Sequence, residues 1–321
     1  MKRSAVTHRS TTELALYLAL SGALSLLAVV GVAWAAGLHQ VEERVRHYHL
    51  EWLALALAAE IVAYLGYTFA YREVARVEEG PGFGRRHAAA LVVTGFGAFV
   101  ARGGFALDRH AFRRQGISDR QARIRVLGLG ALEYAILAPA VCGAASILLV
   151  QHVHSPAEGI TLPWALGVPF GAAVVLPLLA VRGRLGPRGW QDGLAQGLES
   201  IYVLRCLFVR GEHVLAPLGT ALYWLGDIFC LWACLRIFEP QPLGVAQLLI
   251  GYATGYALTR RTLPFAGAGA VEALLPFSLS WAGTPLAAAI PAVVMYRLIN
   301  LWLPIIPATV GLRTIRGLET A

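Results

Sequence analysis

The chain has 321 residues, of which 57% are hydrophobic and 14% are charged. Soluble globular domains carry about 25% charged residues, so the composition excludes an ordinary soluble domain and predicts an all-α polytopic membrane protein. The net charge of +8 comes almost wholly from arginine, since Lys2 is the only lysine. The basic residues lie in short segments between apolar runs, where the positive-inside rule accounts for most of them. Nucleic acid is therefore not expected as a partner.

Six apolar runs are each long enough to cross a bilayer as a helix, which takes about 20 residues. They cover residues 14–38, 52–71, 126–150, 162–181, 214–237 and 286–312. Basic residues precede the first run and follow the last, so we expect both termini in the cytoplasm. The whole chain, residues 1–321, is predicted to form a single transmembrane domain, with an amphipathic helical elbow over residues 182–213 at the inner interface.

A shorter apolar segment, residues 88–107, has arginine clusters on both sides. If both clusters are cytoplasmic, the segment cannot cross the membrane and must enter and return. Arg102, Gly103 and Gly104 then lie at the reversal, because glycine adopts the positive φ values that a tight reversal needs. An ordinary span from which Arg102 snorkels is the alternative. The following residues, 109–125, contain six arginines and are predicted to form a cytoplasmic interfacial helix.

A second interrupted segment covers residues 243–281, an apolar stretch broken near its middle. The break contains two arginines, two glycines and an acid, namely Arg260, Arg261, Gly267, Gly269 and Glu272. An arginine at the centre of a membrane helix costs about 3 kcal/mol on insertion scales, so this break needs a compensating partner or a water-filled cavity. We expect a second re-entrant hairpin here, which enters from the outside.

The two interrupted segments belong to units that run in opposite directions. In residues 52–150, a span crosses inward, a re-entrant segment enters from the inside, and a second span crosses outward. In residues 214–312, a span crosses outward, a re-entrant segment enters from the outside, and a second span crosses inward. Inverted repeats with paired broken helices are the architecture of secondary transporters, whose substrate lies near the bilayer midplane. We therefore predict about six spanning helices plus two re-entrant broken-helix hairpins in an inverted-repeat arrangement.

The candidate site is a polar headgroup site formed where the two breaks meet. Arginine binds phosphate through charge-assisted hydrogen bonds, and glycine amides and half-helix ends can complete the cradle. The candidate substrate-binding residues are Arg102, Gly103, Gly104, Arg109, Arg260, Arg261, Gly267, Gly269, Glu272, Arg297 and Asn300. Glu133 and Asp227, two acids inside predicted spans, are candidates for charge pairing or proton coupling. A buried salt-bridge network that fixes the helix breaks is the structural alternative.

The C-terminal third also carries a family resemblance. Residues 263–274, with Gly283, residues 287–289 and residues 296–304, resemble the closing segment of the lysylphosphatidylglycerol synthase transmembrane family, a flippase-type membrane domain. Residues 224–238, with Asp227, are similar to the preceding helix of that family. Residues 102–114 are similar to its first glycine-rich break. The resemblance covers roughly residues 60–312.

This resemblance implies a flippase or transporter of a polar or anionic phospholipid in the bacterial cytoplasmic membrane. The lipid could be an aminoacylated phospholipid, another anionic lipid or a polyprenyl-phosphate carrier, and the protein could work as a homo-oligomer or beside a separate synthase. Bifunctional members add a soluble aminoacyl-transferase domain. Because this sequence ends at Ala321, we expect no aminoacyl-tRNA chemistry, no enzymatic activity and no cofactor.

Three interpretations other than transport stay open. An intramembrane transferase or hydrolase acting on a lipid-linked phosphate would use Glu272 or Glu133 as its general base. A partner subunit would present its arginine-rich inner face, residues 109–125, to a protein or to anionic lipids. A zinc site would need the histidine pairs at 47 and 49 and at 152 and 154, but neither pair has a carboxylate at a standard spacing. No metal is expected.

Overall fold

Every regular element in the described part of the chain is a helix. The computed structural model describes residues 11–77, 80, 82–99, 104–151, 158–181, 189–209, 213–241, 243–257, 259 and 263–308. The α-helices in these ranges are α1 (Thr11–Ala36), α2 (Leu38–Arg46), α3 (Glu51–Arg76), α4 (Arg85–Phe99), α5 (Gly104–Arg114), α6 (Asp119–Val150), α7 (Glu158–Val181), α8 (Trp190–Val209), α9 (Leu215–Phe238), α10 (Val245–Tyr252), α11 (Ala270–Trp281) and α12 (Leu286–Arg297). Two π-helical turns, Ala253–Ala257 and Leu298–Trp302, continue α10 and α12, and a 3₁₀ turn, Pro264–Gly267, precedes α11.

Six helices in the described ranges are long and apolar enough to cross a membrane. They are Ala15–Ala36, Glu51–Arg76, Asp119–Val150, Gly159–Ala180, Leu215–Phe238 and Leu286–Ala308. Each coincides with one of the six predicted apolar runs. The protein is therefore an all-α polytopic membrane protein, as its composition predicts.

The prediction of one interfacial helix over residues 109–125 is wrong. The segment is divided between the end of α5, a short connection and the first turns of α6. Gly116 adopts a φ of 87° just after α5, a conformation that ends a helix. Ser118 then caps α6, because its side-chain oxygen accepts a hydrogen bond from the Gln121 amide. The apolar run at 126–150 marks only the membrane part of a longer helix.

Helices α3 and α9 cross in close contact at the centre of the molecule. A methyl group on Gly66 would lie 2.6 Å from the Gly219 carbonyl oxygen, and one on Gly219 would lie 2.6 Å from that of Gly66. Small residues let membrane helices approach in this way. The Trp52 and Trp232 rings, 5.3 Å apart, meet where α3 begins and α9 nears its end, so the two helices are antiparallel.

Helices α4 and α5 pack against each other to form the first hairpin. Phe83, just before α4, and Phe112, near the end of α5, both contact Tyr71, with ring centres 5.8 and 5.5 Å from it. Tyr71 lies near the C-terminal end of α3. Both open ends of the hairpin therefore lie at that end of α3. The residues between α4 and α5, which include Arg102 and Gly103, lie outside the described residues.

Helices α10 and α11 form the second hairpin. The Ser278 hydroxyl donates to the Gly251 carbonyl at 2.7 Å, and a methyl group on Gly255 would lie 2.5 Å from the Leu275 Cα atom. A short connection joins α9 to α10, so this hairpin opens at the C-terminal end of α9. Because α3 and α9 are antiparallel, the two hairpins open at opposite ends of that pair. Residues 260–262 lie outside the described residues.

Candidate functional site

A wholly buried carboxylate, Asp227 of α9, is the centre of a cluster of polar side chains in the interior of the protein. The Tyr296 hydroxyl lies 3.0 Å from both Asp227 oxygens. The Asn300 amide donates to Asp227 Oδ1 at 2.7 Å, and the Tyr252 hydroxyl donates to Oδ2. Asp227 is therefore surrounded by neutral donors, which lets an acid occupy an apolar interior.

Asn300 connects this acid to a second one. Its amide nitrogen also donates to Glu60 Oε1 at 3.2 Å, and its own oxygen accepts from the Tyr256 hydroxyl at 2.6 Å. The Asn300 amide therefore bridges the Glu60 and Asp227 carboxyl groups. Glu60 belongs to α3, so the cluster joins α3 and α9 to the last helix. We call Glu60, Asp227, Tyr252, Tyr256, Tyr296 and Asn300 the carboxyl cluster.

Two π-helical turns position the bridging side chains. Tyr256 lies in the turn Ala253–Ala257, and Asn300 lies in the turn Leu298–Trp302. In the second turn the Leu303 amide donates to the Leu298 carbonyl at 2.8 Å, a spacing of five residues. Such a turn inserts an extra residue into a helix and re-aims the side chains around it, and it is frequent at functional sites.

A buried ion pair lies beside the carboxyl cluster. Arg297 Nε is 2.8 Å from Glu272 Oε1, and both side chains are 2% exposed. The other Glu272 oxygen accepts from the Gly269 amide at 2.7 Å and so caps α11. Arg297 also donates to the Ala266 carbonyl at 3.2 Å. The pair therefore ties α12 to the start of α11.

The backbone that this ion pair holds is strained. Phe265 and Ala266 have φ values of 58° and 53°, and Gly267 and Gly269 follow with 70° and 84°. Positive φ is uncommon for residues other than glycine, and such conformations persist where the surroundings fix them. Arg297, bonded to the Ala266 carbonyl, supplies one such restraint.

Tyr256 connects the ion pair to the carboxyl cluster. The Arg297 guanidinium carbon lies 5.9 Å from the centre of the Tyr256 ring, within the range of a cation–π contact. The hydroxyl of the same tyrosine binds Asn300. A continuous polar network therefore runs from the break before α11 to Glu60 of α3.

A cleft of about 310 Å³ borders this network on one side. It lies between α3, α4 and the end of the last helix. Apolar residues line it together with Glu60 and Tyr64. Ile61 and Leu303, which line it, are 61% and 45% exposed. The cleft thus reaches from the outer, apolar surface of the helices to Glu60.

The structure brings together part of the predicted site. Glu272, Arg297, Gly267 and Gly269 meet at the second break, and Asp227 and Asn300 meet in the carboxyl cluster. Gly104 begins α5. Arg102, Gly103, Arg260 and Arg261 lie outside the described residues.

Two other predicted residues lie apart from these contacts. Arg109 is bonded to Asp119 at the start of α6, with Nε 2.7 Å from the carboxylate, in an arginine-rich group that includes Arg113 and Arg123. Glu133 is buried in α6, where its backbone carbonyl accepts from the Trp224 indole at 2.9 Å.

Four members of the carboxyl cluster were not predicted from the sequence. Glu60 is an acid within the predicted span 52–71, which is the same signal that identified Asp227. Tyr252, Tyr256 and Tyr296 give no such signal, because tyrosine is common in membrane helices and their interfaces. Among the described residues, no three His, Cys, Asp or Glu side chains are grouped so that they could hold a metal ion.

The fold and the site define a polytopic α-helical membrane protein in which a buried polar network joins α3 and α9 to the segment of α10 and α11 and to the last helix. Residues 18–308 match the family model described as the lysylphosphatidylglycerol synthase TM region. The chain belongs to this family, which confirms the resemblance seen in its sequence. None of the curated proteins matches the chain.

Proposed function

We propose that the protein transports a polar or anionic phospholipid across the cytoplasmic membrane as a flippase. Membership of a family of membrane domains named for a lipid synthase supports a lipid-related function. The observation that carries the proposal is the buried polar network at the second broken segment, beside a cleft that reaches the apolar surface. A headgroup needs a polar interior and its acyl chains need an apolar side, and this arrangement supplies both.

The two hairpins support an alternating-access mechanism. Because they open at opposite ends of the α3–α9 pair, we infer that they are re-entrant from opposite faces of the membrane. Residues 52–150 and 214–312 then form inverted repeats, with both termini in the cytoplasm. In transporters of this kind the substrate site lies where the broken helices of the two repeats meet.

We assign different roles to the charged residues of the breaks. Arg297 and Glu272 satisfy each other and the backbone of the second break, so they brace the site. Arg102, Arg260 and Arg261, with Gly103 and Gly104, are the candidates for binding the lipid phosphate. A separate synthase that supplies the lipid, or a second copy of this chain, is a proposed partner.

The alternative of an intramembrane transferase or hydrolase has less support. A general base must reach the proton that it abstracts, and Glu272 is already bonded to Arg297 and to the Gly269 amide. We therefore propose no enzymatic activity. The two functions differ in the product, because a flippase returns its lipid chemically unchanged.

The proposal is tested by lipid movement in vesicles that contain the purified protein. A fluorescent anionic phospholipid is placed in one leaflet, and its appearance in the other leaflet and its mass are measured. We expect movement of unchanged lipid by the wild-type protein, and loss of most of it in the variant Arg260→Ala with Arg261→Ala. Arg113→Ala, which removes an exposed arginine near Asp119, is the matched control. Equal rates in the two variants would contradict the assigned headgroup site, and modified lipid would favour an enzyme.

A further inference from the structure

Glu60 and Asp227 form a pair of acidic side chains that meet across the α3–α9 contact. A single Asn300 amide group donates to Glu60 at 3.2 Å and to Asp227 at 2.7 Å. Both residues are buried, with 5% and 0% of their surface exposed. The two carboxyl groups are therefore close neighbours in an apolar interior.

Like charges close together at low dielectric repel strongly, so a buried carboxyl pair binds one proton between its members. The groups that face the pair come from three elements. They are Tyr252 and Tyr256 from α10 and its π turn, Tyr296, Arg297 and Asn300 from the last helix, and Cys230, a neighbour of Cys234, from α9. The cation among them, Arg297, is in an ion pair with Glu272.

The two acids differ in their access to the outside. Asp227 is enclosed by its donors and has no exposed surface, whereas Glu60 lines the apolar cleft. The cleft walls beside Glu60, Leu57 and Ile61 on α3 and Leu303 on the last helix, are hydrophobic. A small apolar molecule that is dissolved in the bilayer can therefore approach Glu60 but not Asp227.

We propose that Glu60 and Asp227 bind one proton between them, and that Glu60 is the member that exchanges this proton through the cleft. In a transporter this pair is the site at which proton movement couples to substrate movement. Only this coupling to substrate movement rests on the proposed function. The proton site itself is independent of which lipid, if any, the protein moves.

The test is labelling with dicyclohexylcarbodiimide, an apolar reagent that reacts with protonated carboxyl groups. A carbodiimide nitrogen takes the carboxyl proton, the carboxylate oxygen adds to the central carbon, and rearrangement leaves a stable N-acylurea on the side chain. The purified protein in vesicles is treated with the reagent, and modified residues are located by peptide mass spectrometry. We expect Glu60 to be modified. Glu133, which is buried in α6 and does not line the cleft, is the internal control and should remain unmodified.

The variant Asp227→Asn tests the sharing of the proton. Glu60 then carries alone the single negative charge of the pair, so we expect its labelling to fall about tenfold. In the wild-type protein, labelling should also decrease as the pH is raised, because the pair then loses its proton. This second measurement uses the wild-type protein, so it tests the proposal even if Asp227→Asn unfolds.

Three results would overturn the proposal: labelling of Glu60 no stronger than that of Glu133, labelling unchanged in a folded Asp227→Asn protein, or labelling independent of pH. These outcomes are distinct from a failure of the proposed function. Labelling at Glu60 without lipid movement would support the proton site and contradict the flippase function. Lipid movement without labelling would support the flippase function and contradict the proton site.

Discussion

The polar residues in the interior fall into two groups that are stabilised differently. Asp227 receives hydrogen bonds from two tyrosine hydroxyls and one amide, which are neutral donors. Glu272 is instead matched by a full positive charge on Arg297. A carboxyl held by neutral donors can gain or lose a proton, whereas one in a buried ion pair is fixed in its charged form. The protonation state of Asp227 can therefore change during function, whereas Glu272 stays charged.

The bracing role of the Arg297–Glu272 pair predicts a large effect on stability. Glu272→Gln keeps a side-chain oxygen for the Gly269 amide but leaves the Arg297 charge buried and unmatched, which should cost about 3 to 5 kcal/mol. Adding Arg297→Met should recover part of this loss. The measurement is the midpoint of thermal unfolding in detergent.

Arg120→Ala is the control for this experiment, because it breaks a pair with Glu199 in which both side chains are partly exposed. We expect a change of at most about 1 kcal/mol there. If Glu272→Gln has an effect as small as the control, the pair does not brace the break, and Arg297 becomes a candidate ligand of the headgroup.

For single residues, the sequence shows which charged side chains in apolar runs need a partner, but it does not show which residue that partner is. Asp227, Glu272 and Arg297 stand out because a charged residue in a membrane helix requires an explanation. The pairing of Arg297 with Glu272 could not be inferred, because it depends on how α12 packs against α11. Glu60 carried the same signal as Asp227 and was missed.

At the scale of the helices, the close contact between α3 and α9 requires glycine, because a side chain at the contact positions would not fit. Gly66, Gly219 and Gly226 each place backbone against backbone, and a methyl group on any of them would lie 2.6 Å from a carbonyl oxygen of the other helix. This contact sets the distance between Glu60 on α3 and Asp227 on α9. The glycines therefore control the geometry of the carboxyl cluster as well as the packing.

We predict that Gly219→Ala destabilises the protein, because overpacking a close contact costs about 1 to 3 kcal/mol. It should also weaken carbodiimide labelling at Glu60, since it separates the two acids. Gly143→Ala is the matched control, because a methyl group at that position in α6 meets no atom within 4 Å. There the helix preference of alanine should give a neutral or stabilising change of up to about 1 kcal/mol. Equal thermal unfolding midpoints for the two variants would contradict the account of this contact.

Apolar length predicted all six candidate spans, because a bilayer imposes that length on any helix that crosses it. It could not predict where α6 begins, since Ser118 and Gly116 act through local backbone geometry outside the apolar run. Nor could it predict the π turns at 253–257 and 298–302. Those turns bring Tyr256 to Asn300, and they are a result of packing that leaves no periodic mark in the sequence.

For the whole molecule, the central feature is the opposed direction of the two hairpins. The first opens beside Tyr71 at the C-terminal end of α3, and the second opens at the C-terminal end of α9. The first hairpin also contacts the end of the last helical segment, because a methyl group on Gly97 of α4 would lie 2.4 Å from the Ala308 Cβ atom. The two proposed repeats are therefore in direct contact.

The central claim is that a lipid headgroup passes between two hairpin tips that meet inside the membrane. The most direct measurement is cross-linking of Arg102→Cys to Arg260→Cys in a protein whose four native cysteines are replaced, combined with the vesicle transport assay. We predict that a short bifunctional thiol reagent joins the two positions within one chain and stops lipid movement, and that a cleavable version of the reagent restores movement when it is cut. Absence of the cross-link, or an unchanged rate of lipid movement in the cross-linked protein, would contradict the claim.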